Sequence, residues 1–331
     1  MAKGPLKALG IIASATIGVA SAAYGAQKIV VKSLAGAEVD FEFRASEQFE
    51  VETRDGAKIA VYRDGPKNNG KPTLLFLHGY ALCAPIWSYQ FDLLREDYDL
   101  VAIDLRGHGA SSVGSDGINL ESYANDIYDV LHNMNLKEIV LMGHSTGGVV
   151  ALSYLERYKN DADKRIVGLC LISTLAEPPQ HHRTNMTEAL SKFTFVGKAL
   201  QTMSDLPLIG YPMARFAMGK KASSSVIEFV RRAIASTDSE VANKLLQMLL
   251  SFSYIDELER FKEPSCVIVG TSDPITPVSD AIIVAELLGG EVDIIEGVGH
   301  VPMLESPDEF NFIISRFLDA NFSEDDVKSN K

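Results

Sequence analysis

Cysteine is scarce. The 331 residues contain three, which cannot all pair with one another. Cys170, within Val167–Ile172, and Cys266, opening Cys266–Val269, lie in apolar runs that read as buried strands, while Cys83 follows a loop and is the one expected to meet solvent. Three free thiols are therefore expected, which excludes a disulfide-stapled scaffold. Positive charge is also in deficit. Lys and Arg number 31 against 44 Asp and Glu, a formal net charge of −13, and the phosphates of a nucleic acid would be repelled. Seven histidines show no metal-ligand spacing, so no structural metal is expected. There is no internal repeat. With 46% hydrophobic and 23% charged residues the composition is that of a globular protein, long enough for one α/β core carrying an insertion.

Long apolar runs are absent except at the start. Lys3 and Lys7 precede Ala8–Ala26, which holds no charged residue and is rich in Ala, Ile, Val and Gly. About 18 such residues suffice for a membrane-spanning helix. A basic start, an apolar middle and the small residues of Ala20–Ala23 also fit a cleaved signal peptide, and a buried or amphipathic helix is the third reading. The expectation is a chain that is membrane-associated through one N-terminal helix, or exported. Lys28 and Lys32 balance Lys3 and Lys7 and leave the orientation open.

The folded part begins near Glu47. Phe49–Thr53 and Ile59–Tyr62 alternate in polarity around Asp55-Gly56, a hairpin pattern. Short apolar runs follow at Thr73–Leu77, Leu100–Ile103, Ile139–Met142, Ile166–Ile172, Cys266–Val269 and Val292–Ile295. Strands covered on both faces have this composition. Helical patterns separate them, the clearest over Leu120–Met134 with Tyr123, Ile127, Val130, Leu131 and Met134 on one face. The fold expected is α/β, a doubly wound and mostly parallel sheet, with ligands at the carboxyl ends of its strands. From about Ala176 to Glu263 the alternation stops and only helical patterns remain. The expected organisation is therefore an N-terminal segment and linker (1–46), a core (47–175 and 264–322), an inserted helical cap (176–263) and a polar tail (323–331).

The chemistry concentrates at strand ends. Ile139–Met142 runs into Gly143-His144-Ser145-Thr146-Gly147-Gly148 and then into an apolar helical stretch. A strand, a tight turn with a central Ser and a helix is the setting that the G-x-S-x-G pattern requires. Gly143 and Gly147 let strand and helix close on each other. A serine hydroxyl needs a base. His300, beyond Val292–Ile295 in a glycine loop, is the candidate. Asp273, at the matching position after Cys266–Val269, is the candidate acid, with Glu177 the alternative. The order Ser, Asp, His suits this architecture. Oxyanion donors are expected from the backbone N–H groups of Thr146 and Tyr80, the latter in the loop His78-Gly79-Tyr80 after Thr73–Leu77. His78 is read as bracing that loop, and Asp104 and Arg106 as pinning the turn after Leu100–Ile103.

Together the HG loop at His78-Gly79, DLRGHGAS at Asp104–Ser111, GHSTGG at Gly143–Gly148, GTSDPITP at Gly270–Pro277 and GVGHVPMLESP at Gly297–Pro307 resemble the α/β-hydrolase superfamily, in its order and over about Glu47–Ala320. The similarity is greatest to its esterase, lipase and cofactor-free haloperoxidase-like branch. That resemblance implies a Ser145, His300, Asp273 triad working without a cofactor, and places Trp87 beside the oxyanion loop. Relatives with Asp at the elbow form alkyl-ester intermediates; Ser145 implies acyl transfer instead. Relatives resembling prolyl-peptidases carry Trp after the Ser, where this chain has Thr146.

The expected activity is cleavage of a carboxylic ester, carboxylesterase- or lipase-like, through an acyl-enzyme. Its partner would be a small lipophilic ester with a short-to-medium acyl chain reached from the membrane surface, with no nucleic acid. The alternatives are a carbon–carbon bond hydrolase using the same triad and a ligand-binding receptor on the same fold. Met186, Met203, Met213, Met218 and Met248, with Phe193, Phe195, Phe216, Phe229 and Phe252, supply either an acyl pocket or the insertion's own core.

Overall fold

The computed structural model describes residues 43–178 and 196–323. Eight strands form one sheet: β1 (Glu47–Glu52), β2 (Lys58–Asp64), β3 (Thr73–Leu77), β4 (Leu100–Ile103), β5 (Ile139–His144), β6 (Ile166–Ile172), β7 (Ser265–Gly270) and β8 (Val292–Ile295). Their order across the sheet is β1-β2-β4-β3-β5-β6-β7-β8. β1 and β2 pair antiparallel around the Asp55-Gly56 turn, β2 joins β4 antiparallel, and every later pairing is parallel. Every residue of β3, β4 and β5 is buried, as their apolar runs predict, but β8 departs from the expectation: it is the edge strand, and Ile294 is 45% exposed.

Strand order reverses at β3 and β5. From β3 the chain moves to β4 on one side, and from β5 to β6 on the other. Connections diverge there, which opens a crevice at the carboxyl ends of β3 and β5. His78-Gly79-Tyr80 follows the first and Ser145 the second, so the reversal brings both segments to one place.

Helices cover both faces. Before β5 lies α2 (Leu120–Asn133), after α1 (Ser88–Leu94); α3 (Thr146–Arg157) and α4 (Lys159–Arg165) follow β5. Asn119 starts α2 with a reciprocal capping box: the Ser122 N–H donates to Asn119 Oδ1 at 2.8 Å, and the Asn119 N–H to Ser122 Oγ at 3.2 Å. Such a cap satisfies two helix-end amides at once. Tyr123, Ile127, Val130 and Leu131 turn inward, as their spacing predicts. Between β6 and β7 lie α5 (Val196–Asp205), α6 (Pro207–Phe216), α7 (Ser224–Ser236), α8 (Ser239–Met248) and α9 (Ile255–Arg260), with no strand among the described residues of that stretch. α10 (Val278–Leu288), α11 (Pro302–Glu305) and α12 (Pro307–Phe322) complete the chain.

The localisation expectation is corrected. Among the described residues no helix is long and apolar enough to cross a membrane. The longest of them, α12, has 16 residues and carries Asp308, Glu309, Arg316 and Asp319, charges that hydrocarbon would exclude. Ala8–Ala26, on which that expectation rested, lies outside the described residues. Cys83, Cys170 and Cys266 are free thiols.

Candidate active site

Ser145 joins β5 to α3 with φ 51° and ψ −118°, a backbone conformation that a side-chain-bearing residue adopts only when its surroundings impose it. They do. The Ser145 N–H donates to the Ile172 carbonyl at 2.8 Å, and the Ser145 carbonyl accepts from Thr174 Oγ1 at 2.7 Å and from the Gly148 amide at 2.9 Å. Both flanking glycines are demanded by space. A Cβ on Gly143 would lie 2.6 Å from Gly148 Cα, and one on Gly147 would lie 2.3 Å from the Leu77 carbonyl oxygen.

His300 follows β8 and Asp273 follows β7. The structure brings them to Ser145: Ser145 Oγ is 3.0 Å from His300 Nε2, and His300 Nδ1 is 2.8 Å from Asp273 Oδ2. A protonated Nδ1 donating to the carboxylate leaves Nε2 free to accept from the serine hydroxyl. The carboxylate is itself held. Its Oδ1 accepts the amides of Ile275 (2.9 Å) and Thr276 (3.0 Å), and its Oδ2 accepts the Thr276 hydroxyl (2.5 Å). Burial opposes ionisation of Asp273, but the His300 ring and these Thr276 bonds outweigh it and lower the pKa to about 2. The carboxylate at the ring is thus Asp273.

The amides expected to hold an oxyanion belong to the residue after this serine and to a loop that packs against it. Thr146 N–H opens α3, where no earlier carbonyl of the helix can reach it. Among the described residues the Tyr80 amide has no backbone hydrogen-bond partner. Gly79 sits so close to the elbow that a Cβ would fall 2.7 Å from His144 Nδ1 and 3.2 Å from Ser145 Cβ.

Two buried histidines lace this loop to the one after β4. Leu105 N–H donates to His78 Nε2 at 2.9 Å, so His78 Nδ1 carries the proton and donates to the Gly79 carbonyl at 2.8 Å. In the opposite direction Ala81 N–H donates to His108 Nε2 at 3.3 Å, and His108 Nδ1 donates to the Arg106 carbonyl at 3.0 Å. Burial lowers the pKa of His78 to about 4 and of His108 to about 3, so both rings are neutral braces. Arg106 is buried between Asp55 (2.8 Å) and Asp126 (2.6 Å), and Asp104 accepts the amides of Ala84 and Ala110. Trp87 is buried with its ring 5.2 Å from that of Phe76 on β3.

Sequence reasoning missed Thr276, Thr174 and His144. Thr276 had a trace in the Asp-x-x-Thr spacing, an Asx-type turn. His144 Nε2 donates to the His300 carbonyl at 2.7 Å, a contact across 156 residues that no local pattern could show. Of the Met and Phe residues in the insertion, Met218 is buried and Phe229 packs on the same core cluster, while Phe216 is 74% exposed; Met186, Phe193 and Phe195 lie outside the described residues.

A hydroxyl, an imidazole and a carboxylate linked in this way can attack a carbonyl, and a backbone amide at the start of a helix beside the serine can stabilise the resulting oxyanion. Comparison with known proteins agrees with this architecture. The non-heme chloroperoxidase of Burkholderia pyrrocinia is 29% identical over 82% of this chain and 99% of its own. A bifunctional esterase/perhydrolase of Acinetobacter calcoaceticus is 39% identical over 39% of this chain and 45% of its own. A solved thermophilic esterase from Thermogutta terrifontis superposes with a TM-score of 0.71 at 26% identity, covering 84% of this chain and all of that one. The family model described as alpha/beta hydrolase fold matches residues 72–307, and the chain belongs to that family.

Proposed function

We propose that the protein is a serine hydrolase that cleaves small carboxylic esters through an acyl-enzyme. The observation that carries this reading is the unbroken chain from Ser145 Oγ to His300 Nε2 (3.0 Å) and from His300 Nδ1 to Asp273 Oδ2 (2.8 Å). His300 takes the hydroxyl proton as Ser145 attacks the ester carbonyl, and the amides of Thr146 and Tyr80 receive the oxyanion. Asp273 holds the ring in the required tautomer and stabilises the imidazolium. The imidazolium then returns its proton to the leaving alcohol. A water activated by the same Nε2 hydrolyses the acyl-enzyme, which releases the acid and restores the serine. The relatives bearing esterase names support this substrate class.

The test is fluorophosphonate labelling of the purified chain, with hydrolysis of p-nitrophenyl acetate, butyrate and octanoate measured in parallel. The expected result is one adduct, on the Ser145 peptide, with matching loss of ester turnover. Ser145→Ala should take up no label and lose several orders of magnitude in kcat. Ester turnover retained by Ser145→Ala would overturn the assignment.

A further inference from the structure

One buried carboxylate has no part in acyl transfer as just described. Glu305, at the end of α11, is 6% exposed, and burial raises its pKa against the pull of three backbone amides. Those amides come from two places. Gly299 N–H (3.0 Å) and Gly219 N–H (2.7 Å) both donate to Oε2, and Val301 N–H (3.1 Å) donates to Oε1. Gly299 and Val301 are the residues on either side of His300.

We propose that Glu305 is a positioning residue for His300, clamping the loop that carries the base and keying the inserted segment Ala217–Gly219 to it. The proposal rests on the reading of His300 as general base. The remaining backbone groups of His300 are also fixed. Its N–H donates to the Ala217 carbonyl at 2.8 Å, and its carbonyl accepts from His144 Nε2. Three consecutive N–H groups, of residues 299, 300 and 301, are thus held by one carboxylate and by the inserted segment. The two main chains meet only because both lack side chains there. A Cβ on Gly219 would lie 2.2 Å from the Gly297 oxygen, and one on Gly299 would lie 2.4 Å from Gly219 N.

A carboxylate is the group this position needs, because it offers acceptors on both oxygens and no donor. Glu305→Gln keeps the shape but turns an NH2 toward at least one of the three amides, so two donors face each other in a buried site. The base loop then shifts. A displacement of about 1 Å at a reacting group can cost on the order of a hundredfold in rate.

The test measures kcat and KM for a p-nitrophenyl ester per fluorophosphonate-titrated site, along with the phosphonylation rate constant. For Glu305→Gln the expected result is a kcat per site about 10- to 100-fold lower, an unchanged KM and a parallel fall in phosphonylation. Glu305→Asp keeps the charge, cannot span all three amides and should show a smaller loss of the same kind; it also carries the test if the Gln variant does not fold. Glu309→Gln is the control. Its carboxylate pairs with Lys221 of the insertion at 2.7 Å on the exposed surface, and its kcat should match the wild type. A merely structural Glu305 would lower the number of titratable sites and leave kcat per site unchanged, which overturns the proposal. Wild-type protein with neither turnover nor label would overturn the esterase reading and the role of Glu305 with it. Wild-type turnover with an unimpaired Glu305→Gln would overturn the role of Glu305 alone.

Discussion

Asp273 meets His300 with one oxygen only: Oδ2 faces His300 Nδ1 at 2.8 Å and also accepts the Thr276 hydroxyl, while Oδ1 accepts the amides of Ile275 and Thr276. This division of labour decides what an isosteric change would do. In Asp273→Asn the single carbonyl oxygen is needed where two amides already point. The NH2 group would therefore turn toward His300, which can accept it only at an unprotonated Nδ1. The proton then moves to Nε2, where it opposes the serine hydroxyl. The expected loss in kcat is on the order of 10⁴-fold, as for a base held in the wrong tautomer. Steady-state kinetics on p-nitrophenyl acetate check it.

A second prediction concerns the elbow's fit against β3. Gly147→Ala would place a methyl group 2.3 Å from the Leu77 oxygen and 2.6 Å from the His78 oxygen. Both obstacles are backbone at the end of a buried strand, so neither can rotate away. Overpacking of this kind costs roughly 1–3 kcal/mol. It also pushes α3 from the loop that carries Tyr80, so the proposed oxyanion donors, the Thr146 and Tyr80 amides, separate. Both the denaturant midpoint and kcat should fall. An unchanged kcat would mean that this packing does not set the oxyanion donors.

Much of this arrangement was legible in the sequence, for a physical reason. Buried parallel strands must be apolar on both faces, so β3 to β7 announce themselves, and the edge strand β8 shows a shorter apolar run although it is only partly covered. Ser145, Asp273 and His300 could be placed together because each follows one of these runs. The lacing of His78 to Leu105 and of His108 to Ala81 was legible only in half. His78 was readable as a brace because it belongs to the loop it holds. His108 was not, since its partner depends on β4 lying beside β3. Glu305 left still less trace, because a side chain that binds only backbone amides imposes no pattern on the residues it holds. Ala8–Ala26 shows the converse: composition suggested a membrane helix, and no described helix bears out that localisation.

The buried histidines predict acid lability. Burial lowers His78 from 6.5 to about 4, and lowers His108 and His144 to about 3. The unfolded chain binds these protons first, so stability rises with pH across this window and falls on acidification from about 6.5 toward 4. At pH 4 each ring costs the folded state on the order of 3 kcal/mol. Three together approach the whole stability of a typical domain, about 5–15 kcal/mol. Asp273 adds to this only lower down: its folded pKa of about 2 is depressed, and its contribution is present above about 4 and lost between about 4 and 2. Thermal midpoints measured at half-unit steps should therefore fall steeply between pH 6 and 4. A flat profile across that range would show that the rings are not buried and neutral.

The strain at Ser145 gives the last test. With φ at 51° and ψ at −118°, a residue bearing a Cβ pays conformational energy of order 1–3 kcal/mol. Glycine escapes it, apart from roughly 0.5–1 kcal/mol of extra backbone entropy in the unfolded chain. Ser145→Gly and Ser145→Ala should both be inactive, yet they should differ in stability. The Ala variant keeps the Cβ and the strain. The Gly variant sheds the strain and should be more stable than the Ala variant by about 1 kcal/mol, a shift of roughly 2–4 °C for a domain of this size. Calorimetry of the two inactive variants, side by side, measures it without any substrate. Equal midpoints would mean that the elbow is relaxed as built. A higher midpoint for Gly would show that the fold gives up stability to hold the Ser145 hydroxyl toward His300.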